Sequence, residues 1–259
     1  MNKHLDITFD LETTSLSSHA AIMQIAAVAW DRFAEDADHM FLTKPECAFA
    51  MKADDTEHFC VRVDLNSQFV EGLWDFSQST SEWWRKQSSA AKQAVVGHAD
   101  ITRGDWSRRT AAVWKMTLND ALLAFDEWID LLMEKYGCES VCLWCQGTDF
   151  DIPILRYAAE ICCLDCKCKP VALHHKHYRD CRTAIYENVC LWLGRMEGDQ
   201  PYSLKELLGE PLLAYKILPQ LPDTFGSKEN AHGALYDCIR STWFTWQALN
   251  LKTPDLAKE

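Results

Sequence analysis

Residues Leu5-Asp6-Ile7-Thr8-Phe9-Asp10-Leu11-Glu12 alternate apolar and polar side chains with period two, the pattern of a β-strand with one face buried in a core. Asp10 and Glu12 then lie on one face, with Cα atoms roughly 7 Å apart at ~3.3 Å rise per residue. That is close enough for two carboxylates to serve one metal centre.

Beyond this strand the chain keeps an α/β pattern. The polar turn Thr13–Ser18 leads into Ala21–Trp30, an apolar run rich in Ile, Val and Ala that reads as a second strand. His39–Thr43 reads as a short third strand, and Pro45 to about Asp75 as loop and insertion. The segment Ser79–Ala94 is predicted helical. Thr117-Leu118-Asn119-Asp120 resembles an N-cap with an acidic third position, and Leu118, Ala121, Leu122, Phe125, Trp128, Ile129, Leu132 and Met133 recur at helical spacing. Val141–Cys145 has the short apolar character of a buried strand, followed by the turn Gln146–Asp149 and a helix over Phe150–Cys163. Ser203-Leu204-Lys205-Glu206 offers a capping box with Gly209 as its stop, and Ala231–Leu249 has helical apolar spacing. No repeat or low-complexity linker interrupts the chain, which suggests a single domain over 1–259 with its core at about 5–249.

Composition narrows the class. Among 259 residues 48% are hydrophobic, and 11 Trp, 11 Phe and 7 Tyr can fill a sizeable core. Disorder and collagen-like structure are excluded. The polar start carries no signal-like apolar stretch and no run approaches a membrane span, so the expected location is cytoplasmic. Twelve Cys then read as reduced thiols. A net charge of −12 argues against bulk polyanion binding. The charge is uneven, however: residues 81–116 hold seven Lys or Arg against three Asp or Glu, and residues 156–182 hold six against three.

Three acidic sites sit at the ends of regular elements. They are Asp10 and Glu12 on the first strand, Asp151 where a helix follows a buried strand, and Asp237 five residues after His232 at the start of the last helix. Carboxylates converging on one cleft repel unless cations neutralise them, and hard oxygen ligands select Mg²⁺ or Mn²⁺ over Zn²⁺. Two ions roughly 3.5–4 Å apart suit the attacking and leaving oxygens of an in-line phosphodiester displacement, with an imidazole to take the proton of water.

The same residues carry a family resemblance. Asp10-Leu11-Glu12-Thr13-Thr14, Phe150-Asp151 and His232…Asp237 resemble the three motifs of the DEDDh superfamily of 3′→5′ exonucleases, which have a ribonuclease H-like fold. Trp144–Leu155, Glu82-Trp83-Trp84-Arg85-Lys86-Gln87-Ser88 and Arg179-Asp180-Cys181-Arg182-Thr183 are similar to segments of the branch holding exonuclease A of T-even bacteriophages and bacterial exoribonuclease-like domains. The resemblance runs from about Ile7 to Ser241. It implies an α/β fold with a mixed central sheet flanked by helices. It also implies that Asp10, Glu12, Asp151 and Asp237 bind two divalent ions, Mg²⁺ or Mn²⁺, with His232 as general base. Thr13, Thr14 and Leu16 match the segment that handles the 3′-terminal nucleotide. Gly147, where many members have Asn, and Ser15, where Gly often stands, depart from the pattern without touching a ligand position.

Trp83 and Trp84 point about 100° apart on a helix, so one packs inward and at most the other stacks a base; Trp84 is kept as the candidate contact. Arg85, Lys86, Arg179 and Arg182 are candidates for phosphate, and equally for solvated or salt-bridged roles. The Cys162–Cys168 run with His174, His175 and His177 meets only half of a structural zinc spacing, through Cys163 and Cys166, so incidental thiols are the preferred reading. The expected function is release of 5′-mononucleotides from a nucleic acid with a free 3′ end, DNA ahead of RNA and single strands ahead of duplex. A non-catalytic nucleic-acid-binding protein is the rival from another class, and self-association as a homodimer stays open.

Overall fold

The computed structural model of the chain describes residues 4–43, 58–95, 115–162, 175–196, 202–225 and 233–251. Six strands, β1 (His4–Thr13), β2 (Ile22–Trp30), β3 (Phe59–Val63), β4 (Lys115–Met116), β5 (Ser140–Cys145) and β6 (Tyr178–Asp180), form one mixed sheet in the order β4-β3-β2-β1-β5-β6. β1 is antiparallel to β2 and parallel to β5. The helices are α1 (Gln78–Lys86), α2 (Ser89–Val95), α3 (Leu118–Tyr136), α4 (Asp151–Cys162), α5 (Cys181–Leu193), α6 (Leu204–Gly209), α7 (Ala214–Ile217) and α8 (Ala234–Leu249). The ribonuclease H-like mixed sheet expected from the sequence is present.

The alternation of β1 sorts the two layers. Leu5, Ile7, Phe9 and Leu11 enter a core with Phe125, Ile129 and Leu132 of α3 and Ile154, Leu155 and Ala158 of α4. On the other face, Ala26 and Val28 of β2 meet Ala234, Cys238 and Ile239 of α8, and α5 packs beside α8 around Trp243 and Phe244. Local signals hold the helices where the sequence predicts: Thr117 accepts a bond from the Asp120 amide, Gly137 closes α3 at φ 62°, and the Ser203–Glu206 capping box forms. Among the described residues, no helix is long and apolar enough to cross a membrane.

Three expectations are corrected. His39–Thr43 is not a strand; it returns along β2 through a single bridge between Trp30 and Phe41, while the third strand of the sheet is Phe59–Val63, inside the stretch expected to be loop. The helix expected over Ser79–Ala94 breaks at Gln87 and Ser88, because Ser88 starts a new one by accepting from the Ala91 amide at 3.0 Å. The last helix begins at Ala234, not Ala231, behind a Gly233 cap that supplies no side chain.

Candidate active site

β1 outruns its parallel neighbour. Its pairing with β5 ends at Thr8 opposite Trp144, after which β5 turns away into α4. A crevice therefore opens at the carboxyl ends of the central strands, at the point where the chain's strand order reverses, the usual ligand address of such sheets. Asp10 and Glu12 stand on the extension, and Asp151 is the first residue of α4. Asp237 lies in the first turn of α8, which crosses the same face of β1.

Ligand oxygens of Asp10, Glu12 and Asp237 all fall within 4.8 Å of one another. Asp151 lies outside that trio but bears on it electrostatically. The Asp10 carboxyl is held well above the usual carboxylate range, first by burial, then by the charges of Asp151, Glu12 and Asp237; Arg182 opposes the shift. Glu12 rises too, through burial and then Asp237 and Asp151. Asp151 is pushed up to about 8 by burial, against the Leu11 amide and Arg182, which pull it down. One oxygen of Asp151, Oδ1, is buried with no hydrogen-bond partner. Buried carboxylate oxygens left this way call for a cation, and an all-oxygen set suits Mg²⁺ or Mn²⁺. The residues thus fit the implied metal. The thiols nearby are poor rivals as ligands: burial raises Cys145, Cys181 and Cys238, and the site's negative charge adds to it. All eight described cysteines are free.

Supporting contacts with no motif in the sequence hold these groups in place. Gln24, opposite Glu12 in the sheet, accepts from the Ala234 amide at 3.1 Å and so replaces the side-chain cap α8 lacks. Its only sequence signal is a polar residue inside an apolar strand. Asp180 accepts from the amides of Thr148 at 3.0 Å and Thr183 at 2.7 Å, tying the turn before Asp151 to the start of α5. Arg182 thereby comes to Gly147. That glycine sits at φ 108°, and a Cβ there would stand 3.3 Å from the Arg182 guanidinium; the departure from Asn gives the arginine room.

The remaining predicted residues separate. The β1–β2 turn is stitched to residues 75–77: Thr14 Oγ1 donates to the Asp75 carbonyl at 2.8 Å and the Ser77 amide to the Thr14 carbonyl. Thr13 Oγ1 donates to the Ser15 carbonyl. Leu16 is 80% exposed at the turn's tip. Trp84, expected as a substrate contact, is the buried member of its pair; it donates from Nε1 to the Thr13 carbonyl at 3.3 Å and packs with Met23 and Val95, whereas Trp83 is exposed. The amphipathic face of α1 admits only one tryptophan inward. Arg85 and Lys86 lie exposed at the end of α1. Arg179 donates to the carbonyls of Lys176 and Tyr178, which makes it a local brace. His232 lies outside the described residues, as do Cys163, Cys166, Cys168 and His174 of the zinc alternative; His177 bonds through Nδ1 to the Val141 carbonyl.

In its mixed sheet and its gathered carboxylates the chain resembles 3′→5′ exonucleases of the DEDDh type. The chain belongs to the family described as the Rv2179c-like 3′-5′ exoribonuclease domain, whose model matches residues 5–200. It is 27% identical over 153 residues to an exodeoxyribonuclease of enterobacteria phage T4, across 58% of this chain and 53% of that protein; the match spans about half of that relative. In structure it resembles cell-death related nuclease 4, with TM-score 0.52 and 15% identity over 96% of this chain and 66% of that one. An E. coli ExoI–ssDNA complex aligns with TM-score 0.48 and 14% identity, over 94% and 40% of the two chains.

Proposed function

We propose that this protein removes nucleotides one at a time from the 3′ end of single-stranded nucleic acid, releasing 5′-mononucleotides, with two Mg²⁺ or Mn²⁺ ions held by Asp10, Glu12, Asp237 and Asp151. The observation that carries the reading is the carboxylate trio within 4.8 Å beside the unpartnered oxygen of Asp151. When bound, the ions supply positive charge at the attacking and leaving oxygens of an in-line displacement. The chain's own groups do the rest. His232 takes the proton of the attacking water. Arg182 neutralises a phosphate oxygen from beside Gly147. The turn carrying Thr13, Thr14 and Leu16, clamped by the Asp75 carbonyl, receives the terminal nucleoside. Trp84 supports that turn from behind through the Thr13 carbonyl, and Arg85 offers charge beyond it.

DNA is the first substrate reading, supported by the similarity to the T4 exodeoxyribonuclease. RNA is the second, supported by the description of the family itself. The test is digestion of 5′-labelled single- and double-stranded DNA and RNA with Mg²⁺ or Mn²⁺, product length being followed in time. Ladders shortening from the 3′ end are expected, fastest on single-stranded DNA. Binding of every oligomer without shortening of any would leave the non-catalytic reading standing.

A further inference from the structure

A groove of about 680 Å³ opens between the β1–β2 turn and one face of α4, the helix that starts at Asp151, with Ser18, His19, Thr148, Arg156, Tyr157 and Asp180 among its walls. Thr148 and Asp180, joined by a hydrogen bond, form the end nearest Asp151. From there the groove follows the helix: at 1.5 Å per residue, Arg156 and Tyr157 stand about 8–9 Å beyond Asp151 along the axis. The rings of His19 and Tyr157 lie 4.3 Å apart at 33°, an aromatic wall fixed by the Tyr157 hydroxyl, which donates to the Leu73 carbonyl. The His19 ring and the Arg156 guanidinium form no hydrogen bond or ion pair among the described residues, and both are exposed. Of the acids in the walls, Asp180 has both oxygens engaged by backbone amides, and Glu160 stands one turn further along α4.

An aromatic wall with an uncommitted guanidinium beside it, on the helix that begins at Asp151, is the chemistry that holds single-stranded nucleic acid by stacking and phosphate contact. We propose that this groove seats the strand upstream of the reacting phosphate, a base against the His19–Tyr157 pair and a backbone phosphate on Arg156. The proposal rests on the exonuclease reading of the acidic site. It makes His19 and Arg156 binding residues for the part of the substrate that stays behind.

A double variant, His19→Ala with Arg156→Glu, alters only exposed side chains. It should be compared with the unaltered protein on two substrates with Mn²⁺: a short 5′-labelled oligonucleotide, and a nucleoside 5′-(p-nitrophenyl phosphate), in which p-nitrophenolate leaves in place of the upstream nucleotide's 3′-oxygen. The expected result is a rise of about tenfold in KM for the oligonucleotide with kcat little changed, and an unchanged rate on the nitrophenyl ester. An unchanged oligonucleotide KM, or equal losses on both substrates, overturns the groove assignment. If the unaltered protein cleaves neither substrate, the exonuclease reading fails on its own. The groove is then read by fluorescence anisotropy of the labelled oligonucleotide, where equal affinities of variant and parent overturn the assignment and a tenfold weaker variant upholds it.

Discussion

Asp6 and Asp10 occupy the same face of β1, and the protein treats them oppositely. Asp6 is fully buried and fully answered: Arg32 donates to both of its oxygens, and the Trp144 indole donates to Oδ1 at 2.8 Å, with the guanidinium stacked 5.1 Å from the Trp144 ring. Asp10 has no side-chain hydrogen bond among the described residues and is surrounded by three more carboxylates. A buried charge is expensive unless it is paired. At the amino end of the strand the chain pairs its acid with its own arginine, and the result is structure; at the carboxyl end it gathers acids around acids, whose mutual repulsion protons or cations would relieve.

If that contrast holds, substitutions at the two ends fail in different ways. Asp10→Asn should lower cleavage about 10³-fold, the loss of several kcal/mol of transition-state charge stabilisation, while the metal-free protein melts no lower than the parent. Arg32→Ala should do the reverse. Removing one partner of a buried pair costs about 3 kcal/mol, to be read by urea unfolding, with the rate per folded molecule kept within about threefold. A variant at Arg32 that is stable but inactive would erase the distinction.

Gln24→Ala tests how the site is assembled. With the Ala234 amide unsatisfied, stability should fall by about 1 kcal/mol. As Asp237 loses its register, kcat should fall about tenfold with KM nearly constant. Equal kinetics would show that α8 needs no cap to place its acid.

The last expected effect is one of pH. Because burial pushes the folded Asp151 carboxyl up from 3.8 to about 8, the folded state favours its proton. That stability is present below about pH 4 and is lost as pH rises through about 8. Metal-free protein should therefore lose melting temperature relative to Asp151→Asn between about pH 5 and pH 8, by roughly 5 °C for a chain of this size. Saturating Mn²⁺ should remove the difference. A parallel pH dependence of the two metal-free proteins would show that the proton is not held there.

The parts of this arrangement that are legible in the sequence are those written in local periodicity. β1 alternates, α3 carries its own cap and stripe, and the acids stand at element ends. β3 is hidden because Phe59-Cys60-Val61-Arg62-Val63 spans only five residues, too short for its alternation to stand out from the polar stretch around it. β6 spans three residues, and no pattern shows at that length. The clamps are illegible for another reason: Gln24 meets Ala234 across 210 residues and Trp84 meets Thr13 across 71, and long-range pairs leave no spacing to read. The choice between Trp83 and Trp84 needs the third dimension for the same reason.

Whether the carboxyl end of β1 gathers its acids for cations is tested most directly by calorimetric titration of the metal-free protein with Mn²⁺ at neutral pH, in two buffers of different ionisation enthalpy. Uptake approaching two equivalents is expected, with release of the protons that the raised carboxyls hold, and loss of that uptake in Asp10→Asn. No uptake by the unaltered protein, or the same uptake by Asp10→Asn, would contradict it.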